Sequence, residues 1–183
     1  MIVKNRKAAM EMSVGTIVTI VLLMSVLVLG IFLVQKIFKS STNAIDLTDA
    51  QLMNELNKLF SSGEDQKIII FPQTGEINAK KGESGAVGIL INNRIEEEET
   101  FSYETTLADK GSCSMTESQL ENLIDLGGSR DNIKLGSGDK SNALRIVFKI
   151  PETAKICNVM YQVDVSTSND EIYDSTDIIL NIK

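Results

Sequence analysis

The chain has 183 residues, with 18 Lys and Arg against 25 Asp and Glu, and it contains neither His nor Trp. A general base, a catalytic triad or a zinc site built on histidine is therefore excluded. The acidic balance is also wrong for nucleic acid, whose phosphates call for Lys and Arg.

The charge is unevenly spread. Lys4, Arg6, Lys7, Lys36 and Lys39 precede Ser40 against Glu11 alone, which leaves 13 basic and 24 acidic residues from Ser40 onward, a net of −11. Residues 1–13 read as a basic cytoplasmic leader. Residues 14–35 read as a transmembrane helix: no charge occurs from position 14 to position 34, about 21 residues or about 31 Å of helix. The lysines after the run act as a stop, so a retained anchor is expected in preference to a cleaved secretory signal, for which Ala44 offers the only weak cleavage site. Lys4, Arg6 and Lys7 place the N-terminus inside and the acidic remainder outside. Gly15 and Thr19 form a small-xxx-small pair on one helix face, a candidate for close helix packing, although isolated small residues are common in such spans. Glu11 stands at the edge of the span, where the helix N-terminus favours a negative charge and Lys7 lies one turn back.

Residues 36–66 read as a polar linker and an amphipathic helix. Leu52, Met53, Leu56, Leu59 and Phe60 recur at helical spacing, Thr48 or Asp46 is positioned to cap the start, and the apolar stripe is expected to rest on the domain that follows. From residue 67 to residue 183 the period changes to that of strands. "KIIIF", "EINAK", "GAVGILINN", "TFSYETTLA", "NALRIVFKI", "CNVMYQVDVST" and "TDIILNIK" are separated by turn signals that include "GGSRDN" and "GSGDKSN". In "NALRIVFKI", Leu144, Ile146, Phe148 and Ile150 share one face, and Arg145 and Lys149 share the other with Val147, which predicts a sheet with one wet face. "TESQLENLIDLG" reads as a short helix crossing between sheets, with Thr116 and Gln119 as a capping box. The fold class is therefore α+β: a long N-terminal transmembrane helix, then an all-β immunoglobulin-like sandwich with a short inserted helix.

Cys113 and Cys157 are the only cysteines. A domain outside the cell permits a disulfide between them, but their spacing does not show that they meet. The acidic run "IEEEET" reads as a solvated loop in preference to a calcium site, and "LGSGDKSN" lacks the spacing of a phosphate loop. No Asn opens an N-x-[ST] sequon. No cofactor and no metal are expected, and the chain does not read as an enzyme.

The stretch "KNRKAAMEMSVGTIVTIVLL" resembles the N-terminus of type IV pilin-like proteins, especially archaeal pilins and archaellins. The resemblance covers about the first forty residues. It implies that a prepilin peptidase removes the basic leader containing Lys4, Arg6 and Lys7, and that the exposed helix then packs into a filament core. The family's glutamate, at the fifth mature position, neutralises a terminal amine; Glu11 is the matching residue. That register requires a cut after Arg6, where the family has a small residue, whereas a cut after Ala8 or Ala9 places Glu11 third or second.

Two functions are expected. One is a membrane-anchored surface structural protein, pilin-like or archaellin-like, that self-associates through its N-terminal helix. The alternative is a non-polymerising single-pass membrane protein with an extracellular binding module, stator-like or envelope-contacting. The partners would be the membrane, further copies of the chain, and envelope or pilus proteins.

Overall fold

The computed structural model describes residues 6–40, 44–62 and 66–183. The chain divides into two compact units, Met1–Ser41 and Thr42–Lys183. The first unit is the helix α1 (Arg6–Ser40). Its apolar stretch Gly15–Phe32 has a mean hydropathy of 2.6 and is long enough to cross a bilayer.

The second unit opens with a 3-10 turn, Ala44–Asp46, and the helix α2 (Asp49–Ser62). Of the two capping candidates, Thr48 fills the role: its hydroxyl accepts from the Gln51 N–H at 3.3 Å, and the Gln51 side chain accepts from the Thr48 N–H at 2.9 Å. This reciprocal pair satisfies two of the orphan donors at the helix start.

Nine strands follow: β1 (Ile68–Phe71), β2 (Glu76–Ala79), β3 (Ser84–Ile91), β4 (Glu99–Asp109), β5 (Ile124–Leu126), β6 (Ser129–Leu135), β7 (Leu144–Lys149), β8 (Cys157–Ser166) and β9 (Ile172–Ile182), with the short helix α3 (Glu117–Glu121) between β4 and β5. They form two sheets, ordered β1-β3-β7-β5 and β2-β9-β8-β4-β6. All pairings are antiparallel except β2 with β9. The fold is thus an apolar N-terminal helix followed by a two-sheet β-sandwich with a short helix, as the periodicity predicts.

The sandwich interior is built from alternate residues of facing strands. Val87, Ile89 and Ile91 of β3 and Ile146 and Phe148 of β7 meet Tyr161, Val163 and Val165 of β8 and Ile178 and Leu180 of β9. The Phe148 and Tyr161 rings lie 4.9 Å apart at 49°. A second apolar cluster lies outside the first sheet, where Leu52 and Leu56 of α2 cover Ile69, Ala86 and Leu90.

Two expectations are corrected here. The second face of β7 is wet only at Lys149, while Arg145 and Val147 are half-buried. Val147 packs into the α2 cluster, and the Arg145 guanidinium donates to the Leu47 carbonyl at 2.7 Å and to the Asp49 carboxylate at 3.1 Å. The stretch "GGSRDN" is not simply a turn, and the helix within "TESQLENLIDLG" ends at Glu121. Ile124–Leu126 already belongs to the first sheet, Gly127 and Gly128 carry the chain across, and Ser129–Leu135 is the edge strand of the second sheet. Gly127 has φ +70°, and a Cβ there would collide with the Arg145 carbonyl, so only glycine fits this crossing.

Candidate functional site

The first candidate is the apolar surface of α1. Every residue of Gly15–Phe32 is exposed, and the large apolar ones are exposed by 50–69%. No face is withdrawn into a core, which is the pattern of a helix whose natural surroundings are themselves apolar. Three hydroxyls interrupt the surface, those of Thr16, Thr19 and Ser25, and two of them bond to the helix's own backbone: Thr19 Oγ1 donates to the Gly15 carbonyl at 2.7 Å and Ser25 Oγ to the Val21 carbonyl at 2.8 Å. Such internal bonds are what a hydrocarbon environment demands, because no water is there to pair with a free hydroxyl. Gly15 and Thr19 are thus linked along one face, with open space where a Gly15 Cβ would stand. Lys4 lies outside the described residues, as do the side chains of Arg6, Lys7 and Glu11, whose backbone belongs to α1.

The second candidate is a groove of about 590 Å³ at one end of the sandwich. One wall is the segment from Ser114 to Leu123 and the other runs from Lys149 to Lys155; Met115, Leu123 and Pro151 line it with Lys149, Lys155 and Asp125. The walls are fixed at both ends. Cys113 and Cys157 are joined by a disulfide at one end, with Cα atoms 5.0 Å apart. At the other end the Lys149 N–H donates to the Leu123 carbonyl at 2.8 Å. Between these ends, α3 is held by a capping box of Thr116 and Gln119 and by the Tyr161 hydroxyl, which donates to the Leu120 carbonyl at 2.8 Å. Burial pushes the Tyr161 phenol well above its ordinary range, so this donor keeps its proton under all mild conditions.

At the other end of the sandwich the acidic run forms a fixed loop. The buried Asn93 amide donates to the Glu97 carbonyl at 2.9 Å and to the Leu135 carbonyl at 3.0 Å, and its oxygen accepts from the Ile95 N–H at 2.9 Å. Glu96, Glu97 and Glu98 are exposed on that frame. Glu99 is held below the ordinary carboxylate value, first by the Ser168 side chain and then by the Thr100 N–H. Among the described residues, no group of three or more Asp, Glu, Cys or His is placed to hold a metal ion.

The sequence singled out the cysteines and the acidic run but not the groove lysines or Asn93. Lys149 and Lys155 carry no local motif, since their juxtaposition depends on α3 folding over the end of β7. Asn92 and Asn93 did leave a signal: two amides directly after the apolar run of β3 mark a loop that needs internal hydrogen bonds.

No protein-family model matches the chain, and no curated protein matches it in sequence. Among solved structures, it is similar to a family 123 glycoside hydrolase from Clostridium perfringens, at 12% identity and a TM-score of 0.37 over 58% of this chain, and it spans only 22% of that enzyme's length. It is similar to PapD-like domain 7 of human CEP192 at 11% identity and a TM-score of 0.38, over 64% of this chain and 84% of that one. It is also similar to the CooA pilin subunit from enterotoxigenic Escherichia coli at 6% identity and a TM-score of 0.38, over 64% of this chain and 96% of that one. Similarity at these levels carries no argument about what the chain does.

Proposed function

We propose that the chain is a membrane-anchored surface structural protein, of type IV pilin-like or archaellin-like kind. It holds a β-sandwich outside the cell and self-associates through its N-terminal helix. The observation that carries this reading is the uncharged stretch Gly15–Phe32, exposed on every side with the Thr19 and Ser25 hydroxyls bonded to the helix's own backbone. Such a surface suits lipid or the apolar centre of an assembly and no aqueous setting. The Cys113–Cys157 disulfide supports an oxidising location for the sandwich, and the basic residues before the span support an inside N-terminus.

Alkaline carbonate extraction of native membranes tests the anchor. The full-length protein stays in the pellet and is released only by detergent; release into the supernatant without detergent overturns the reading. N-terminal sequencing of the mature protein tests assembly. Loss of Lys4 and Arg6 accords with leader removal, and Glu11→Ala then stops incorporation into assemblies while leaving membrane insertion intact. Retention of those residues leaves the second arrangement, a fixed single-pass protein presenting a binding module, which the rigid groove beside α3 favours.

A further inference from the structure

The acidic loop and the groove lie at opposite poles of the sandwich. The loop joins the end of β3 to the start of β4, at the pole where Ile89 pairs with Leu144; the groove lies beyond the other end, where Ser84 pairs with Lys149. The eight residues of β3 separate them, about 26 Å of strand. An ion pair between loop and groove within one molecule is therefore out of reach.

The two poles are complementary in charge. The groove lining presents the ammonium groups of Lys149 and Lys155 against the single carboxylate of Asp125, while Glu117, Glu121 and Glu152 of the two wall segments stand outside that lining. Among the described residues no ion pair engages either lysine. The loop presents Glu96, Glu97 and Glu98. Both are also rigid before any contact forms, the groove through its disulfide and strand pairing and the loop through buried Asn93, so little ordering cost attends their meeting.

We infer that the groove receives the Glu96, Glu97 and Glu98 loop of a second copy of this chain. The contact is heterologous: each molecule offers its loop at one pole and its groove at the other, so sandwiches join pole to pole in a row instead of closing as a pair. This deepens the proposed self-association and rests on it. Met115, Leu123 and Pro151 provide an apolar floor, and the half-buried Ile95 precedes the glutamates on the incoming loop.

The test uses the full-length chain in detergent micelles, as an equal mixture of ¹⁴N and ¹⁵N protein, treated with a zero-length carbodiimide and digested. The expected products are mixed-isotope peptides that join Lys149 or Lys155 to Glu96, Glu97 or Glu98. Their yield falls at least tenfold in a K149E/K155E variant. It returns when that variant is mixed with an E96K/E97K/E98K variant, because the exchanged charges attract again. Far-ultraviolet circular dichroism confirms that both variants keep the sandwich. Links from these lysines to carboxylates elsewhere, a yield indifferent to charge reversal, or failure of the mixture to recover would each overturn the inference. Carbonate extraction reads the anchor separately, so a membrane-bound protein without the cross-link sinks only the pole-to-pole contact, and a cross-linking protein without membrane attachment sinks only the anchor.

Discussion

The two sheets of the sandwich differ in what covers their outer faces, and their sequences differ to match. β3, in the first sheet, reads SGAVGILI and is buried at seven of its eight positions, because the interior lies on one side and α2 on the other. β8, in the second sheet, reads CNVMYQVDVS, and every second residue is buried while those between are exposed or half-buried. A continuous apolar run reports a strand covered twice, and strict alternation reports a strand covered once. The first sheet is secured from outside by a helix, whereas the second is tied at its groove end by the disulfide at the start of β8.

The sharpest way to break this comparison is Leu52→Asp, which places a carboxylate between α2 and the first sheet. A loss of about 4 kcal/mol or more is expected in denaturant unfolding. A change below about 1 kcal/mol would mean that the face is solvated after all. Replacing Cys113 and Cys157 together by Ser removes the tie on the second sheet. With a sequence separation of 44, chain entropy predicts a loss of about 3–4 kcal/mol, read as a lowered denaturation midpoint that the unreduced wild type does not show. Gly88→Ala probes the helix contact more gently. Its Cβ would stand 2.5 Å from Leu52 Cδ1, so a cost of about 1–3 kcal/mol is expected. Adding Leu52→Val should recover part of that cost, and strictly additive effects would show that α2 does not rest there.

Tyr161→Phe removes the bond to Leu120 and should cost about 1 kcal/mol at neutral pH. Its folded pKa is raised by burial, so the neutral phenol's contribution is complete below about pH 10, where the unfolded tyrosine begins to ionise, and declines as the pH climbs above that point. The variant should show a shallower alkaline decline than wild type, and an unchanged slope would remove Tyr161 from the account. The smallest effect is expected on the outer face of the second sheet. Gln162→Thr should stay within about 0.5 kcal/mol by the same unfolding measurement, because its face of β8 is exposed or half-buried throughout.

Much of this was legible from residue order because burial repeats with a period. The apolar helix, α2 with its stripe, the Thr116 capping box and seven of the strands each carry a pattern longer than the noise. β6 was missed because it is an edge strand: of Ser129–Leu135, only Leu135 is buried and Ile133 partly so, and polar residues following two glycines look like a turn. β5 is three residues long and follows a helix signature that runs into it. The wet-face expectation for β7 held at Lys149 and failed at Arg145, which is ambiguous on its own; it marks solvent only until another element brings a carbonyl and a carboxylate to meet it. The groove could not be read at all, since its two walls are about thirty residues apart and meet only through tertiary structure.

The parallel pairing of β2 with β9 has a consequence in time. β2 has one strand partner, and that partner, with Ile179 to Ile182 beside Glu76 to Ala79, is made about a hundred residues later. The second sheet is therefore left incomplete while the ribosome is still at work, since contacts so distant along the chain close slowly and late. Until Ile179 to Ile182 are made, the β2 segment has no strand to join and its edge of the second sheet stays open.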